Sequence, residues 1–149
     1  MSRQKIQLTN NREMKIYIAS SWKNQHAVEM LTFFLREAGY EVLSFVENNY
    51  GEGYAAQKPI DFEKWVWSEQ ADNSFEYDTN GAKYSNLVIY ISPSGKDAAA
   101  ECGIAWSNGV PIYGLHAKGE DFGLMRRMMT KWYDNYIDLL CDINNLTTK

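Results

Sequence analysis

A chain of 149 residues with 45 % hydrophobic and 14 % aromatic residues has the composition of one folded domain, and it excludes a disordered polymer. A formal net charge of -4 excludes a general grip on nucleic-acid backbones, which requires a basic face, and leaves small molecules as ligands. No run approaches the roughly 20 apolar residues of a membrane span, and the polar stretch Met1–Arg12 lacks the apolar centre of a signal peptide, so a single cytoplasmic domain over residues 1–149 is expected, with 1–14 frayed.

Lys15-Ile16-Tyr17-Ile18-Ala19 reads as a short buried strand ending in Ser20-Ser21-Trp22. A helix from about Asn24 to Ala38 follows, with Ala27, Leu31, Phe34, Leu35 and Ala38 in one stripe and Gly39 as its stop. Glu41 to Val46 is a second strand, and the strand-helix-strand unit implies parallel pairing. Glu47 to Pro59 has no hydrophobic period and reads as a long loop of the kind that binds or covers ligands. Phe62, Trp65 and Val66 fall at helical spacing within Asp61–Gln70, and Ser74–Lys83 predicts another short helix.

Leu87 to Ile91 is a third strand. Beyond the turn Ser92-Pro93-Ser94-Gly95 lies a helix, Ala98-Ala99-Ala100-Glu101-Cys102-Gly103-Ile104-Ala105-Trp106, that ends at Asn108-Gly109. Its small apolar residues predict burial on every side, and Gly103 within it is accounted for by close packing. Val110 to Gly114 is a fourth strand; Phe122, Met125, Met128, Met129 and Trp132 mark one face of a later helix, and Ile137–Leu140 is a fifth strand or a helical tail. Strands alternating with helices predict a flavodoxin-like α/β fold, an open parallel sheet of four to five strands with helices on both faces. In that order the loops Ser20–Lys23 and Ser92–Asp97 face one cleft at the carboxyl ends of the first and third strands.

Glu101 is the outstanding residue of this cleft. Burying an unpaired carboxylate costs several kcal/mol unless it faces a cleft, finds donors or takes up a proton, so Glu101 is either a structural, hydrogen-bonded glutamate or a catalyst. Asp78, in Phe75-Glu76-Tyr77-Asp78, reaches the same cleft end only if its helix runs antiparallel to the third strand; otherwise it is a solvated helix-start Asp. Two carboxylates facing a sugar divide the work of breaking a glycosidic bond, one at the anomeric carbon and one handling protons at the leaving group. Ser94-Gly95-Lys96-Asp97 fits an S-x-x-D capping box with Ser94 as cap, and the same Ser94, Gly95 and Lys96 would also suit an anion. Trp22 either stacks on a base or anchors its loop to the core. His26 and His116 read as surface or packing histidines. Cys102 and Cys141 have no close Cys or His companion to suggest zinc, and neither metal nor cofactor is implied.

The strand Lys15–Ala19 ending in Ser20-Ser21, an Asp about nine residues before an apolar strand, and Ser92-Pro93-Ser94-Gly95 leading to Ala100-Glu101-Cys102-Gly103-Ile104-Ala105 resemble the nucleoside 2-deoxyribosyltransferase family, above all its small branch of 2'-deoxynucleoside 5'-phosphate N-hydrolases. The likeness spans roughly Lys15 to Met129, interrupted at the loop from Glu47 to Pro59. It implies a nucleoside or nucleotide substrate, a Glu nucleophile at Glu101, a supporting Asp at Asp78, and a homodimer or larger homo-oligomer whose cleft a neighbouring subunit completes. Ser20, Ser21, Trp22, Ser94, Gly95 and Lys96 are the expected substrate contacts. Where several members have a Gly-Thr or Ser-Gly-Val step, this chain has Lys96-Asp97-Ala98. The fold and a catalytic Glu are also shared by Toll/interleukin-1 receptor-like domains that cleave NAD, and a non-catalytic nucleotide sensor would use the same cleft.

Overall fold

A computed structural model describes residues 14–48 and 61–147. Residues 1–13 of the expected frayed start and all but the first two residues of the expected 47–59 loop lie outside them, whereas Met14, expected to be frayed, is buried in the core. The described strands are β1 (Lys15–Ala19), β2 (Glu41–Ser44), β3 (Leu87–Ile91), β4 (Ile112–Leu115) and β5 (Lys131–Tyr133), and they form one sheet in the order 2-1-3-4-5 with every pair parallel. This is the flavodoxin-like order, and its switch point lies between β1 and β3. The helices are α1 (Gln25–Glu37), α2 (Phe45–Asn48), α3 (Phe62–Val66), α4 (Glu69–Tyr84), α5 (Lys96–Ser107) and α6 (Tyr136–Thr147).

Alternation along the central strand divides the core. Ile16 and Ile18 of β1 join Leu87, Ile89 and Ile91 of β3 in one cluster with Val28, Leu31 and Leu35 of α1 and Leu139 and Ile143 of α6. Tyr17 and Ala19 point the other way, into a cluster with Val88 and Tyr90 of β3, Ala82 of α4, and Ala98, Cys102 and Ala105 of α5. A strand buried on both faces cannot show a polar/apolar alternation, so β1 and β3 read as continuous apolar runs. Among the described residues, no helix is long and apolar enough to cross a membrane.

Several expected elements differ in detail. The buried stripe of α1 is Val28, Leu31, Thr32 and Leu35, and Ala27 is exposed. Strand β2 stops at Ser44 because Phe45 and Val46 turn into α2, where both stay buried; a short apolar run fits strand and helix equally well. The Ser74–Lys83 helix is the second part of a 16-residue α4, which Ser68 caps by accepting from the Ala71 N–H. The cap of α5 is Gly95, without a side-chain bond, so the expected Ser94 box does not form. Ala99, Ala100 and Trp106 are exposed, so α5 is buried on one face only. A Cβ on Gly103 would meet nothing within 4 Å, which removes close packing within the chain as its reason.

The methionine-rich helix is also absent. Leu124–Met128 is a single 3-10 turn, and Trp132 lies on β5 instead. Trp132 fills the space that Gly114 leaves empty on β4, where a Cβ would collide with its ring, and Phe122 packs edge-on against Tyr90. Tertiary pairing has overridden a helical spacing of apolar residues. Ile137–Leu140 belongs to α6, the helical alternative.

Candidate active site

A cleft of 420 Å³ opens at the carboxyl ends of β1 and β3, and the two loops expected to face each other do so. Ser20, Ser21 and Trp22 form one wall and Ser94, Gly95, Lys96 and Asp97 the other, while Phe45, Phe62 and Trp65 add an aromatic side. Asp78 and Glu101 both line it. All eight residues expected at the site are thereby brought together.

The floor is made by three side chains from three elements. Glu101 is only 8 % exposed, and its Oε1 accepts a hydrogen bond from the Tyr17 hydroxyl. Tyr17 is itself fully buried on β1, pointing into the layer between sheet and helices α4 and α5. Asp78 reaches the same phenol from α4. It does so because α4 returns antiparallel to the strands, and six residues of helix, about 9 Å, separate Asp78 from the end of α4 where the chain enters β3. Asp78 Oδ1 is buried without a partner among the described residues, which leaves an oxygen with full hydrogen-bonding capacity facing the cleft floor.

Burial dominates the electrostatics. Removal from water pushes the Asp78 carboxyl up from 3.8 to about 7; the Tyr17 hydrogen bond works against this and the nearby Asp97 charge adds to it. Glu101 rises from 4.5 to about 8, first by desolvation, then by the charge of Asp78, again with Tyr17 opposing and Asp97 adding. Tyr17 is held well above its ordinary value by burial and the two carboxylates, so it acts only as a neutral donor and acceptor. Such a pair titrates as a unit and holds one proton between its two ionisations.

The walls are built by side chains that sequence reasoning did not weigh. The Asn24 amide donates to Ser20 Oγ at 2.9 Å and to the Pro93 carbonyl at 2.7 Å, and Ser20 Oγ donates to the Ile91 carbonyl at 2.8 Å. These bonds tie the loop after β1 to the loop after β3, so the Ser20 proton is already committed. Ser21 caps the short turn Trp22–Asn24 by accepting from the Lys23 N–H. Trp22 is half-buried and packs edge-on against Phe45 with centroids 5.7 Å apart, so it both anchors its loop and walls the cleft. Ser94 Oγ is buried and unpartnered among the described residues, Gly95 has open space around it, and Lys96 stands exposed at the rim.

Tyr17 is the central residue missed in the sequence. Its signal was Gly81, three residues after Asp78 in the interior of α4, where a glycine costs about 1 kcal/mol against alanine. A Cβ there would collide with the Tyr17 ring, lying 2.7 Å from Cε1 and 2.9 Å from Cγ. Gly81→Ala is therefore expected to destabilise the protein by about 1–3 kcal/mol, despite its better helix propensity, and to displace the phenol from the carboxylates. Urea denaturation and the pH profile of activity measure both effects, and a more stable protein with an unchanged profile would refute them.

The remaining candidates stand apart. His26 is exposed and pairs with Glu29 at 3.2 Å, and His116 stacks on Trp132, with Arg126 over the same indole at 5.0 Å. Both histidines are surface or packing residues. Burial pushes the Cys102 thiol up to about 12, which makes it unreactive. Among the described residues, no group of three or more His, Cys, Asp or Glu side chains is arranged to hold a metal.

The architecture belongs to the flavodoxin-like α/β class, with its cleft at the switch point. Three solved structures share it closely. A 2-deoxyribosyltransferase from the psychrotolerant bacterium Bacillus psychrosaccharolyticus superposes with a TM-score of 0.69 at 23 % identity, covering 91 % of this chain and 97 % of that one. A conserved protein from Enterococcus faecalis V583 gives 0.62 at 15 % identity, with 89 % and 98 % covered. The CMP N-glycosidase of Clostridium botulinum gives 0.57 at 18 % identity, with 88 % and 99 % covered. No protein-family model matches the chain, and no curated protein matches it in sequence.

Proposed function

We propose that this protein is an enzyme that cleaves or transfers the N-glycosidic bond of a nucleoside or nucleotide. The observation that carries the proposal is the pair of carboxylates beside the Tyr17 phenol, buried Glu101 and half-buried Asp78, on the floor of a cleft with an aromatic wall. Two of the structures that share the fold are a 2-deoxyribosyltransferase and a CMP N-glycosidase, which supports the same chemistry here.

The singly protonated pair reacts from the arrangement in which the phenol donates to an ionised Glu101 and Asp78 carries the proton, which otherwise rests on Glu101, the carboxyl pushed higher (about 8 against about 7). Glu101 then attacks C1' of the sugar. The C1'–N bond breaks, the base leaves with the Asp78 proton, and a glycosyl ester remains on Glu101. Water or a second base displaces the ester and returns a proton to Asp78. Trp22, Phe45, Phe62 and Trp65 offer ring faces and edges for the base; Ser94 Oγ, Gly95 and Lys96 offer polar contacts for the rest of the substrate.

The proposal includes self-association. Phe33, Phe34 and Tyr136 form a connected exposed aromatic patch, with Phe34 stacked on Tyr136, and Met30 and Ile137 are exposed on the same two helices. Light scattering should show a dimer or larger assembly; a monomer at every concentration would contradict this part.

Purified protein incubated with matched ribo- and deoxyribonucleosides, their 5'-monophosphates and NAD should release free base from a subset of them, followed by chromatography. Silence across the panel with a ligand bound intact would instead mark a sensor. Tyr17→Phe removes the hydrogen bond that favours the Glu101 anion, so the pH profile of base release should move to higher pH and turnover at pH 7 should fall by about 10–100-fold. An unshifted profile would exclude Tyr17 from the proton inventory.

A further inference from the structure

We propose that Asp97 makes the cleft select a neutral nucleoside over its 5'-monophosphate. The inference rests on the N-glycosidic reading and names the substrate class within it. Asp97 is the second residue of α5, one helical turn before Glu101, so both carboxylates are carried on one face of the helix and line the same cleft. It stands on the wall opposite Ser20, Ser21 and Trp22, beside the open space around Gly95.

The first turn of α5 would otherwise attract an anion. Gly95 caps it without a side-chain bond, Lys96 follows, and the unpartnered Ser94 Oγ lies beside it. Asp97 places a carboxylate on that same turn, where it offsets the positive end of the helix. Its field also reaches the floor: Asp97 raises both Asp78 and Glu101, and the charges acting on that pair from the described residues are all carboxylates. Lys96 and Asp97 are both exposed, but of the two only Asp97 stands one turn before Glu101 on the same face of α5 and acts on the floor pair. A 5'-phosphate carries close to two negative charges above pH 7 and would meet this field, whereas sugar hydroxyls and base amino groups are donors that a carboxylate accepts.

The test compares each nucleoside with its own 5'-monophosphate in wild-type protein and Asp97→Asn, by kcat/KM for base release and by calorimetric binding to the same pairs in the Glu101→Gln background. Wild type should favour the nucleoside by at least about tenfold, Asp97→Asn should cut that preference about tenfold, and rising salt should weaken it in wild type alone. Equal or better use of the monophosphate by wild type, or a preference that Asp97→Asn leaves intact, would overturn the inference while base release still upheld the enzyme. Binding without base release would overturn the enzyme, and the binding preference would then decide on Asp97. Binding of neither ligand would overturn both.

Discussion

Glu101→Gln is expected to leave a folded protein whose base release is slower by at least about ten-thousand-fold, since the carbonyl of an amide can still accept from Tyr17 but cannot form the glycosyl ester. Asp78→Asn should cost about 100–10,000-fold, the usual worth of a positioned proton donor, and less when the leaving base is acidic enough to depart unprotonated. The contrast between the two variants is the informative part. A nucleophile's loss is insensitive to the leaving group, whereas a general acid's loss shrinks as the leaving group improves. Steady-state rates on a series of bases of graded acidity read both, with far-ultraviolet circular dichroism confirming the fold. Equal losses on all bases for both variants would mean that the two carboxylates do not divide the work in this way.

The same substitutions should stabilise the protein, in a pH-dependent way. Both carboxyls have folded pKa values raised above their unfolded ones, to about 7 for Asp78 and about 8 for Glu101, because burial disfavours the ionised form. The folded state therefore binds protons more tightly than the unfolded chain. Stability from these groups is fully present below about pH 4, where both states are protonated, and is lost as pH rises to the folded values. A tenfold difference in proton affinity between folded and unfolded chain is worth about 1.4 kcal/mol, so wild type loses several kcal/mol between about pH 5 and pH 9. Glu101→Gln carries no such penalty. Its Tm should exceed that of wild type by at least about 5 °C at pH 9, and the gap should nearly close at pH 5. A Tm below wild type at pH 9 would show that Glu101 is a structural glutamate whose bonds outweigh its burial.

The strands and the site were legible to different depths. β1 and β3 were recoverable because strands buried on both faces are unbroken apolar runs, and their order in the chain placed the cleft. Glu101 stood out because a charge in an alanine-rich helix has to be explained, and Asp78 follows if α4 runs antiparallel to β3. Tyr17 stayed hidden because within Lys15-Ile16-Tyr17-Ile18-Ala19 it is one more core residue; only the cross-strand direction of its side chain and the missing Cβ of Gly81 give its phenol a role. The helix expected from Phe122 to Trp132 failed because periodicity is local, while Trp132 obeys a non-local partner, the empty face of Gly114. The bare cap of α5 was equally invisible, since Ser94 and Gly95 both suit that position and the path of the backbone decided between them.

If Glu101 attacks C1', the sugar is carried on its carboxylate during turnover, and rapid acid quenching with the best nucleoside substrate, followed by peptide mass spectrometry, traps it there. A pentosyl adduct is expected on the peptide containing Glu101, mapped to that side chain, formed before or together with free base and absent in Glu101→Gln. Full-rate base release with no adduct on Glu101, or with an adduct on another residue, would contradict attack by Glu101.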